Sequence, residues 1–205
     1  MHNSQSSRTA IDCSETAGLI LAGGAGRRFG EPKAFARLPD GRSFLDACAK
    51  AMQQAGVEPV VPTLPSNAGD GIPKSVKPLR LPGTGLDMFA SIKLGIHNLI
   101  EDSNWHRLII LPVDHPLINA STIVTLCNQY DCDAAIPTLE GRHGHPIMIS
   151  RKLAEKIVDG RLPGPTLREV LRAGRACDIS VDDPGIRANC NTPQTLRDSW
   201  IALHG

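Results

Sequence analysis

The chain has few aromatic residues and almost no net charge. Phe, Trp and Tyr make up 3% of its 205 residues, and the formal charge at pH 7 is +1. A protein that holds nucleic acid needs a basic surface, and one that holds single strands needs aromatic side chains on which bases stack. These shortages argue against a nucleic-acid partner and favour a small anionic ligand.

The sequence also lacks long apolar runs. None approaches the roughly 18 residues of a membrane-spanning helix, and residues 1–16 are polar, without the apolar centre of a signal peptide. We therefore expect a cytoplasmic protein with no membrane partner. Residues 1–16 are predicted to form a flexible N-terminal segment. Residues 17–205 are predicted to form one globular domain, since a chain that is 41% apolar can bury a full core at this length.

Metal-ligand and disulfide patterns are missing as well. The cysteines show no Cys-x-x-Cys pair and no Cys/His spacing typical of a structural zinc site. Without an export signal, thiols are expected to stay reduced. We therefore expect reduced, mostly buried thiols at Cys13, Cys48, Cys127, Cys132, Cys177 and Cys190.

The most informative segment is a glycine-rich loop that follows an apolar run. Residues 18–21 read Gly-Leu-Ile-Leu, and residues 22–33 contain four glycines, two arginines and a lysine. An apolar run that stops at glycines indicates a buried parallel strand followed by a tight loop. Glycines let backbone N–H groups approach an anion, and the basic side chains supply the positive charge that a polyphosphate needs. The segment predicts a nucleotide site.

Two common phosphate-binding loops do not fit this segment. A Walker A loop needs Gly-Lys followed by Ser or Thr, but Lys33 lies between Pro32 and Ala34. The dinucleotide fingerprint needs a glycine at a position that, counted from Gly24, is occupied by Phe29. Neither a P-loop NTPase nor a Rossmann dehydrogenase is indicated. The structural alternative is a turn whose basic residues are only solvated.

The rest of the chain alternates predicted helices and strands. Capping boxes at Ser43/Asp46 and Thr166/Glu169 precede two helices. The other expected elements are strands at 57–61, 76–81, 107–111, 134–137 and 176–181, and helices that begin near residues 89, 121 and 192. This alternation predicts a single three-layer α/β domain with a mostly parallel, Rossmann-like sheet, whose ligands bind beyond the carboxyl ends of the strands.

Asp114 follows the clearest buried strand, so its carboxylate is expected at the same edge of the sheet as the glycine-rich loop. Mg²⁺ usually takes one or two protein carboxylates and completes its shell with phosphate oxygens and water. Asp114 is therefore a candidate Mg²⁺ ligand. The alternative is a helix N-cap or a turn residue.

Two other groups of titratable side chains allow a chemical and a structural interpretation. His143 and His145, together with His115, carry the imidazoles that transition metals prefer, but not the helical or Cys-partnered spacing typical of such sites. Asp182 and Asp183 have the composition of an acid pair. They precede a Pro-Gly dipeptide, however, which favours a turn.

A series of motifs resembles those of the molybdenum cofactor nucleotidyltransferases, the family of the guanylyltransferase MobA and the cytidylyltransferase MocA. The family's motifs are Leu-Ala-(Gly/Ala)-Gly, Arg-x-Gly-x-x-Lys, Asp-x-Pro, the MocA-type Gly-His-Pro, and Asn-x-Asn-Thr-Pro or Asp-x-Asp-Thr-Pro. This chain matches them in the same order at residues 21–24, 28–33, 114–116, 144–146 and 189–193. The resemblance covers most of residues 17–203 and implies a nucleotidyltransferase domain.

The resemblance implies that a terminal phosphate of molybdopterin attacks the α-phosphorus of CTP or GTP, with Mg²⁺ as cofactor, and that pyrophosphate leaves. Because the nucleophile is already an anion, such a reaction needs positioning and charge neutralisation rather than a strong base. Two alternatives stay open: a sugar phosphate or other phosphorylated alcohol as acceptor, and a nucleotide-binding accessory protein with little turnover. A molybdoenzyme or its chaperone is an expected further partner.

The resemblance also assigns roles by motif. The residues expected to bind the nucleotide are Leu21, Ala22, Gly23, Gly24, Arg28, Lys33, Ser91 and Asp114. The expected catalytic residues are Arg28, Lys33 and Asp114. The expected metal ligands are Asp114 and Asn191. The expected acceptor-binding residues are Arg142, His143 and His145.

Two features leave the nucleobase and the metal affinity open. Asn189 and Asn191 stand where many MocA-like chains have aspartates; an amide oxygen can ligate Mg²⁺ but brings no charge, so metal affinity is expected to be lower. Gly23 lacks a Cβ where the loop is expected to face the base, which favours a purine as in MobA. Residues 144–146 favour the MocA branch instead. We expect a weak preference for CTP over GTP.

Overall fold

The computed structural model describes residues 13, 15–24, 32–83, 86–102, 104–161 and 164–205, which form eight strands and six α-helices. The strands are β1 Thr16–Leu21, β2 Val60–Pro65, β3 Leu79–Leu81, β4 Arg107–Pro112, β5 Ala134–Leu139, β6 Arg142–His143, β7 Ile147–Ser150 and β8 Ala176–Ser180. The helices are α1 Phe44–Gln54, α2 Met88–Asp102, α3 Ala120–Cys127, α4 Arg151–Val158, α5 Leu167–Ala173 and α6 Pro193–His204. Short 3-10 turns lie at Lys33–Phe35 and Pro184–Arg187.

The strands form one mostly parallel sheet. Its order is β3-β2-β1-β4-β7-β5, and β6 and β8 both pair with β5. Among the described strands, β6 and β7 run antiparallel to their neighbours, and the other pairs are parallel. Leu21 at the end of β1 aligns with Thr63 of β2 and with Pro112 of β4, so these three strands end side by side. The loops that leave them include the glycine-rich segment and Asp114.

Apolar side chains alternate along the strands and fill a core on each face of the sheet. Leu19 on β1 and Ile110 on β4 belong to the core beneath α2, α4 and α5. Ile20 and Ile109, their chain neighbours, belong to the core beneath α1 and α3. Side chains of successive strand residues point to opposite faces, so this division places the sheet between two helical layers. The predicted three-layer α/β architecture is confirmed. None of the described helices is long and apolar enough to cross a membrane.

Capping boxes fix where several helices begin. The two predicted ones are present: Ser43 and Thr166 accept a hydrogen bond from the backbone N–H three residues ahead, and the side chains of Asp46 and Glu169 accept one in return. A further box opens α6, where Thr192 caps the helix. Thr192 lies in the motif at residues 189–193, so this cap determines where the loop ends and the helix begins.

Asp183 forms the expected turn and is also a structural anchor. It is 2% exposed, and its carboxylate accepts a hydrogen bond from the Gly185 N–H. The same carboxylate accepts bonds from the backbone and side chain of Asn119 and from the hydroxyl of Thr122. A buried carboxylate with this many donors is fully compensated. It ties the segment that leads to residues 189–193 to the start of α3.

The second strand and the N-terminal boundary differ from the prediction. β2 continues through Pro62 to Pro65, although proline lacks an N–H, because the residues between the prolines keep the ladder: the C=O of Thr63 accepts from the N–H of Ala22. Thr16 already belongs to β1, and Cys13 is buried. The folded domain therefore includes the last residues of the segment predicted to be flexible. Residues 1–12 and 14 lie outside the described residues.

The hairpin at residues 134–150 contains elements that were not predicted. Residues 141–146 were expected to be a loop, but Arg142–His143 and Ile147–Ser150 both pair with β5. The Gly-His-Pro segment lies between β6 and β7. The N–H of Gly144 donates to the C=O of Pro137 on β5. Helix α4 then begins at once, capped by the hydroxyl of Ser150. Because β7 has only four residues, its apolar run is too short to identify a strand by periodicity.

The expectation that all cysteines are reduced is wrong for two of them. Cys132 and Cys177 form a disulfide, with their Cα atoms 5.9 Å apart. The bridge follows from the parallel pairing of β5 with β8, which aligns Ala135 with Cys177 and so brings Cys132 within reach. Spacing along the chain does not reveal such a long-range pairing. The other cysteines of the described residues are buried and form no disulfide, as expected: Cys13, Cys48, Cys127 and Cys190.

Gly95 allows α2 to lie directly on β1, and its substitution tests this packing. A Cβ at residue 95 would come 2.4 Å from Cδ1 of Leu19. Alanine is favoured over glycine within a helix by about 1 kcal/mol, but overpacking a core costs about 1–3 kcal/mol. We expect Gly95→Ala to lower the free energy of unfolding, measured with urea. The exposed control His97→Ala should stay within about 0.5 kcal/mol of wild type. A stabilised Gly95→Ala would contradict the packing.

Candidate active site

A cavity of about 440 Å³ opens at the carboxyl ends of β1, β2 and β4. This volume lies within the usual range for small-ligand sites. The residues predicted to bind the nucleotide that line the cavity are Leu21, Gly23, Gly24, Lys33, Ser91 and Asp114. Ala22 is buried behind them, and its N–H donates to the C=O of Thr63. Arg28 lies outside the described residues.

Several lining residues were not predicted. Thr63 and Asn67 line the cavity from β2 and the loop that follows it, and Leu86 and Met88 line it from the start of α2. The position of Thr63 and Asn67 after the end of a predicted strand could have identified them, because ligands of such sheets bind beyond the carboxyl ends of neighbouring strands. The side chains of Leu86 and Met88 are partly exposed, at 39% and 63%, so they offer an apolar surface to a ligand. Two other cavities in the described part of the chain, of about 230 Å³ and 380 Å³, contain none of the predicted site residues.

At one end of the cavity, the ammonium group of a lysine contacts two side-chain oxygens. Nζ of Lys33 lies 3.0 Å from Oδ2 of Asp114 and also donates to Oδ1 of Asn191. The side chains of Lys33 and Asp114 are 20% and 19% exposed, so this pair is screened less than a surface ion pair. Three loops that are distant in sequence therefore meet at one ammonium group.

The loops are joined to one another beneath this contact. The N–H of Cys190 donates to the C=O of Asp114 at 2.7 Å, which docks the asparagine loop onto the aspartate loop. The thiol of Cys48 lies 3.7 Å from the C=O of Val113 and 3.9 Å from that of His115. Burial, and then the charge of Asp114, raises the pKa of Cys190 to about 12, and burial raises the pKa of Cys48 as well. Both thiols are neutral and serve as packing and hydrogen-bonding groups.

The donor set at this end fits a small, hard cation. The carboxylate of Asp114 and the amide oxygen of Asn191 already converge on a cation, the Lys33 ammonium. One carboxylate and neutral oxygens, completed by phosphate and water, is a typical Mg²⁺ environment. The described residues contain no group of three or more His, Cys, Asp or Glu side chains arranged to hold a metal. The transition-metal alternative therefore gains no support from them.

The residues expected to contact the acceptor separate into two places. His145 lies beside the Asp114 loop, and its ring meets that of His115 edge to face with centroids 4.8 Å apart. His143 is held on the exposed β6, where its Nε2 lies 2.8 Å from the carboxylate of Asp178 on β8. Arg142 is exposed beside it. None of Arg142, His143 and His145 is among the described residues that line the cavity.

The sequence suggested that Gly23 leaves open space for the base. The structure does not show such a space at the Cβ position of residue 23. A Cβ at this position would come 2.7 Å from Cδ1 of Leu81 and 3.9 Å from Oγ of Ser91. The missing methyl group therefore points to the protein side of the loop. The space that glycine leaves there is occupied by the side chain of Leu81.

The chain is similar in sequence and in fold to known nucleotidyltransferases. A family model described as the MobA-like NTP transferase domain matches residues 18–177. A probable molybdenum cofactor guanylyltransferase of Bacillus velezensis is 27% identical over 187 residues, which cover 85% of this chain and 89% of that protein. A nucleotidyl transferase from Methanothermobacter has a TM-score of 0.73 at 18% identity and aligns over 92% of this chain and 99% of its own. A manganese complex of a Mycobacterium tuberculosis protein has a TM-score of 0.65 at 19% identity, covering 90% and 97% of the two chains.

The buried histidines predict an acid-sensitive fold. Burial, and then the neighbouring His115, lowers the pKa of His145 to about 4, and burial also lowers the pKa of His115. An unfolded histidine titrates near pH 6.5. Between those values the unfolded chain binds a proton that His145 of the folded chain does not, so stability falls as the pH decreases from about 6.5 to about 4, by at most about 1.4 kcal/mol per pH unit for this histidine. His115 adds to the fall in the same direction.

Urea unfolding between pH 7 and pH 5 measures this slope. His145→Gln removes one titrating ring and should flatten the slope, whereas the exposed control His97→Gln should keep it. Equal slopes for wild type and His145→Gln would show that His145 is not buried in its neutral form.

The ammonium of Lys33 lies between the two oxygens that are expected to hold a metal ion. Removal of Lys33 should therefore strengthen metal binding by the free protein. A unit charge about 4 Å away is worth roughly 4 kcal/mol at an effective dielectric of 20, and only part of this survives partial exposure. We expect Lys33→Met to lower the Kd for Mn²⁺ about tenfold or more in the absence of nucleotide, measured from the electron spin resonance of free Mn²⁺. Lys50→Met, an exposed control on α1, should leave the Kd unchanged. Weaker Mn²⁺ binding by Lys33→Met would contradict this assignment.

Proposed function

The chain belongs to the MobA-like NTP transferase family, and we propose that it transfers a nucleoside monophosphate from CTP or GTP to the terminal phosphate of molybdopterin and releases pyrophosphate. The observation that carries the proposal is the meeting of Lys33, Asp114 and Asn191 at one end of the cavity at the carboxyl ends of the strands. The name of the Bacillus velezensis relative supports the choice of acceptor.

The lining of the cavity suggests how a nucleotide lies in it. Leu86 and Met88 follow β3 and Asp114 follows β4, and the strand order β3-β2-β1-β4 puts β2 and β1 between them, which separates an apolar end of the cavity from a charged end. We place the triphosphate at the charged end, with Lys33 and the sequence-assigned Arg28 on its oxygens. The base then lies toward the apolar end, where the backbone of residues 21–24 contacts it.

The chemistry needs charge neutralisation more than proton transfer. Asp114 and Asn191 would hold Mg²⁺, which when bound withdraws charge from the phosphates. Lys33 would stabilise the negative charge that grows on the departing pyrophosphate. The attacking phosphate is already an anion, so the reaction needs no general base. The neutral thiols of Cys48 and Cys190 therefore have no role in proton transfer in this proposal.

The acceptor is proposed to approach from the side of the Gly-His-Pro segment. His145 lies next to the Asp114 loop through its contact with His115, so an acceptor phosphate bound near Asp114 would lie close to this ring. Arg142 and His143 precede it on the exposed β6 and would contact the part of the acceptor that extends out of the cavity.

GTP is proposed as the preferred donor. The Bacillus velezensis relative, which aligns with 85% of this chain, is named a guanylyltransferase, and Gly23 matches the MobA motif. This choice departs from the weak preference for CTP expected from residues 144–146. Pyrophosphate release in the presence of molybdopterin and Mg²⁺, measured with each nucleoside triphosphate, tests both the function and the donor. Release that does not depend on molybdopterin would refute the proposed acceptor.

Substitution of the aspartate tests the catalytic assignment. Asp114→Asn keeps the size of the side chain but removes its charge, and loss of one preorganised electrostatic group typically costs about 10²–10³ in rate. We expect transfer to fall by at least that factor while the fold is retained, because Asp114 lies beyond the end of β4. Asp198→Asn, on the exposed face of α6, is the matched control. Near wild-type turnover by Asp114→Asn would remove Asp114 from the site.

A further inference from the structure

Leu81 is the side chain behind position 23. It is the last residue of β3 and is 3% exposed, and its Cδ1 is the atom that a Cβ at residue 23 would meet at 2.7 Å. Gly23 lines the nucleotide cavity, whereas Leu81 is not among the described residues that line it. The backbone of residue 23 therefore separates the cavity from the side chain of Leu81.

Residues 23 and 81 compete for one small space. A Cβ does not approach another carbon to 2.7 Å, so alanine at residue 23 would either turn Leu81 away or move the backbone of residue 23 toward the cavity. The pairing of Leu81 with Pro65 of β2 fixes its backbone, and Leu81 is buried in an interior where side chains have little room to turn.

The neighbouring helix restricts the same space. Ser91 of α2 lies 3.9 Å from the same Cβ position and is itself held, because its hydroxyl donates to the C=O of Asp87 at 3.1 Å. The close packing of Gly95 on Leu19 keeps α2 against β1. Because Leu81 and α2 are both held in place, alanine at residue 23 is expected to move the backbone of residues 21–24 toward the cavity.

Resting on the proposed function, we propose that Leu81 is a specificity-determining residue whose bulk behind Gly23 sets how far the backbone of residues 21–24 reaches into the cavity. With glycine at 23 and leucine at 81, the backbone lies back and the cavity accepts a purine. Alanine at 23 against leucine at 81 pushes the backbone forward and discriminates against the larger base. A smaller residue at position 81 removes the steric clash with this alanine.

A double-mutant cycle tests the pair. The Kd values for GTP and for CTP are measured by calorimetry, with Mg²⁺ and without acceptor, for wild type, Gly23→Ala, Leu81→Ala and the double variant. We expect Gly23→Ala to weaken GTP binding about tenfold or more and CTP binding less. In the double variant the Kd for GTP should return to within about threefold of that of Leu81→Ala, since residues that compete for one space are not additive.

The matched control pairs Gly23→Ala with Leu79→Ala. Leu79 lies on the same strand and is partly buried, but it is not among the atoms that a Cβ at residue 23 would contact. This combination should keep the full loss of GTP affinity. Thermal unfolding of every variant is recorded in the same buffer, and if Leu81→Ala is unfolded at the assay temperature, the cycle uses the smaller truncation Leu81→Val.

The outcomes separate the inference from the function on which it rests. An undiminished loss of GTP affinity in the double variant would overturn the role of Leu81, as would equal losses for GTP and CTP in Gly23→Ala. If wild type binds and transfers a nucleotide in either case, the proposed function stands. If wild type binds neither GTP nor CTP, the proposed function and the role of Leu81 both fail.

Discussion

The ammonium of Lys33, held between Asp114 and Asn191, is the contact on which the rest of the site depends. Taking a carboxylate largely out of water without a partner is costly, so in the free protein Lys33 balances the charge of Asp114. A bound nucleotide would change this distribution: Lys33 would move to the phosphates, and the oxygens of Asp114 and Asn191 that it leaves would then be free to hold a metal ion. The same three side chains thus compensate one another in the free protein and would be available for polyphosphate in the proposed complex.

The sheet supplies the constraint that brings these side chains together. Parallel strands β1, β2 and β4 end side by side, so the loops that follow them share one edge. Close packing fixes the remaining wall, because Gly95 lets α2 approach β1 and thereby places Ser91 near Gly23. The loop of Asn191 is positioned from outside the parallel strands, by the bond from Cys190 to Asp114 and by the cap of α6.

Local signals in the sequence were sufficient for much of this architecture. The apolar runs of β1 and β4 and the capping boxes at Ser43 and Thr166 depend on neighbouring residues, and the structure contains them. Features that depend on long-range pairing were not predictable. The Cys132–Cys177 bridge follows from the pairing of β5 with β8, and the placement of Leu81 behind Gly23 follows from the packing of separate strands.

The proposed site is tested most directly by a crystal structure of the protein with Mn²⁺ and a non-hydrolysable GTP analogue. This site predicts a manganese ion on the oxygens of Asp114 and Asn191. It also predicts that Nζ of Lys33 has left Asp114 and lies within hydrogen-bonding distance of the phosphate oxygens. A complex in which Lys33 still joins Asp114 to Asn191 while the nucleotide and the metal lie elsewhere would contradict it.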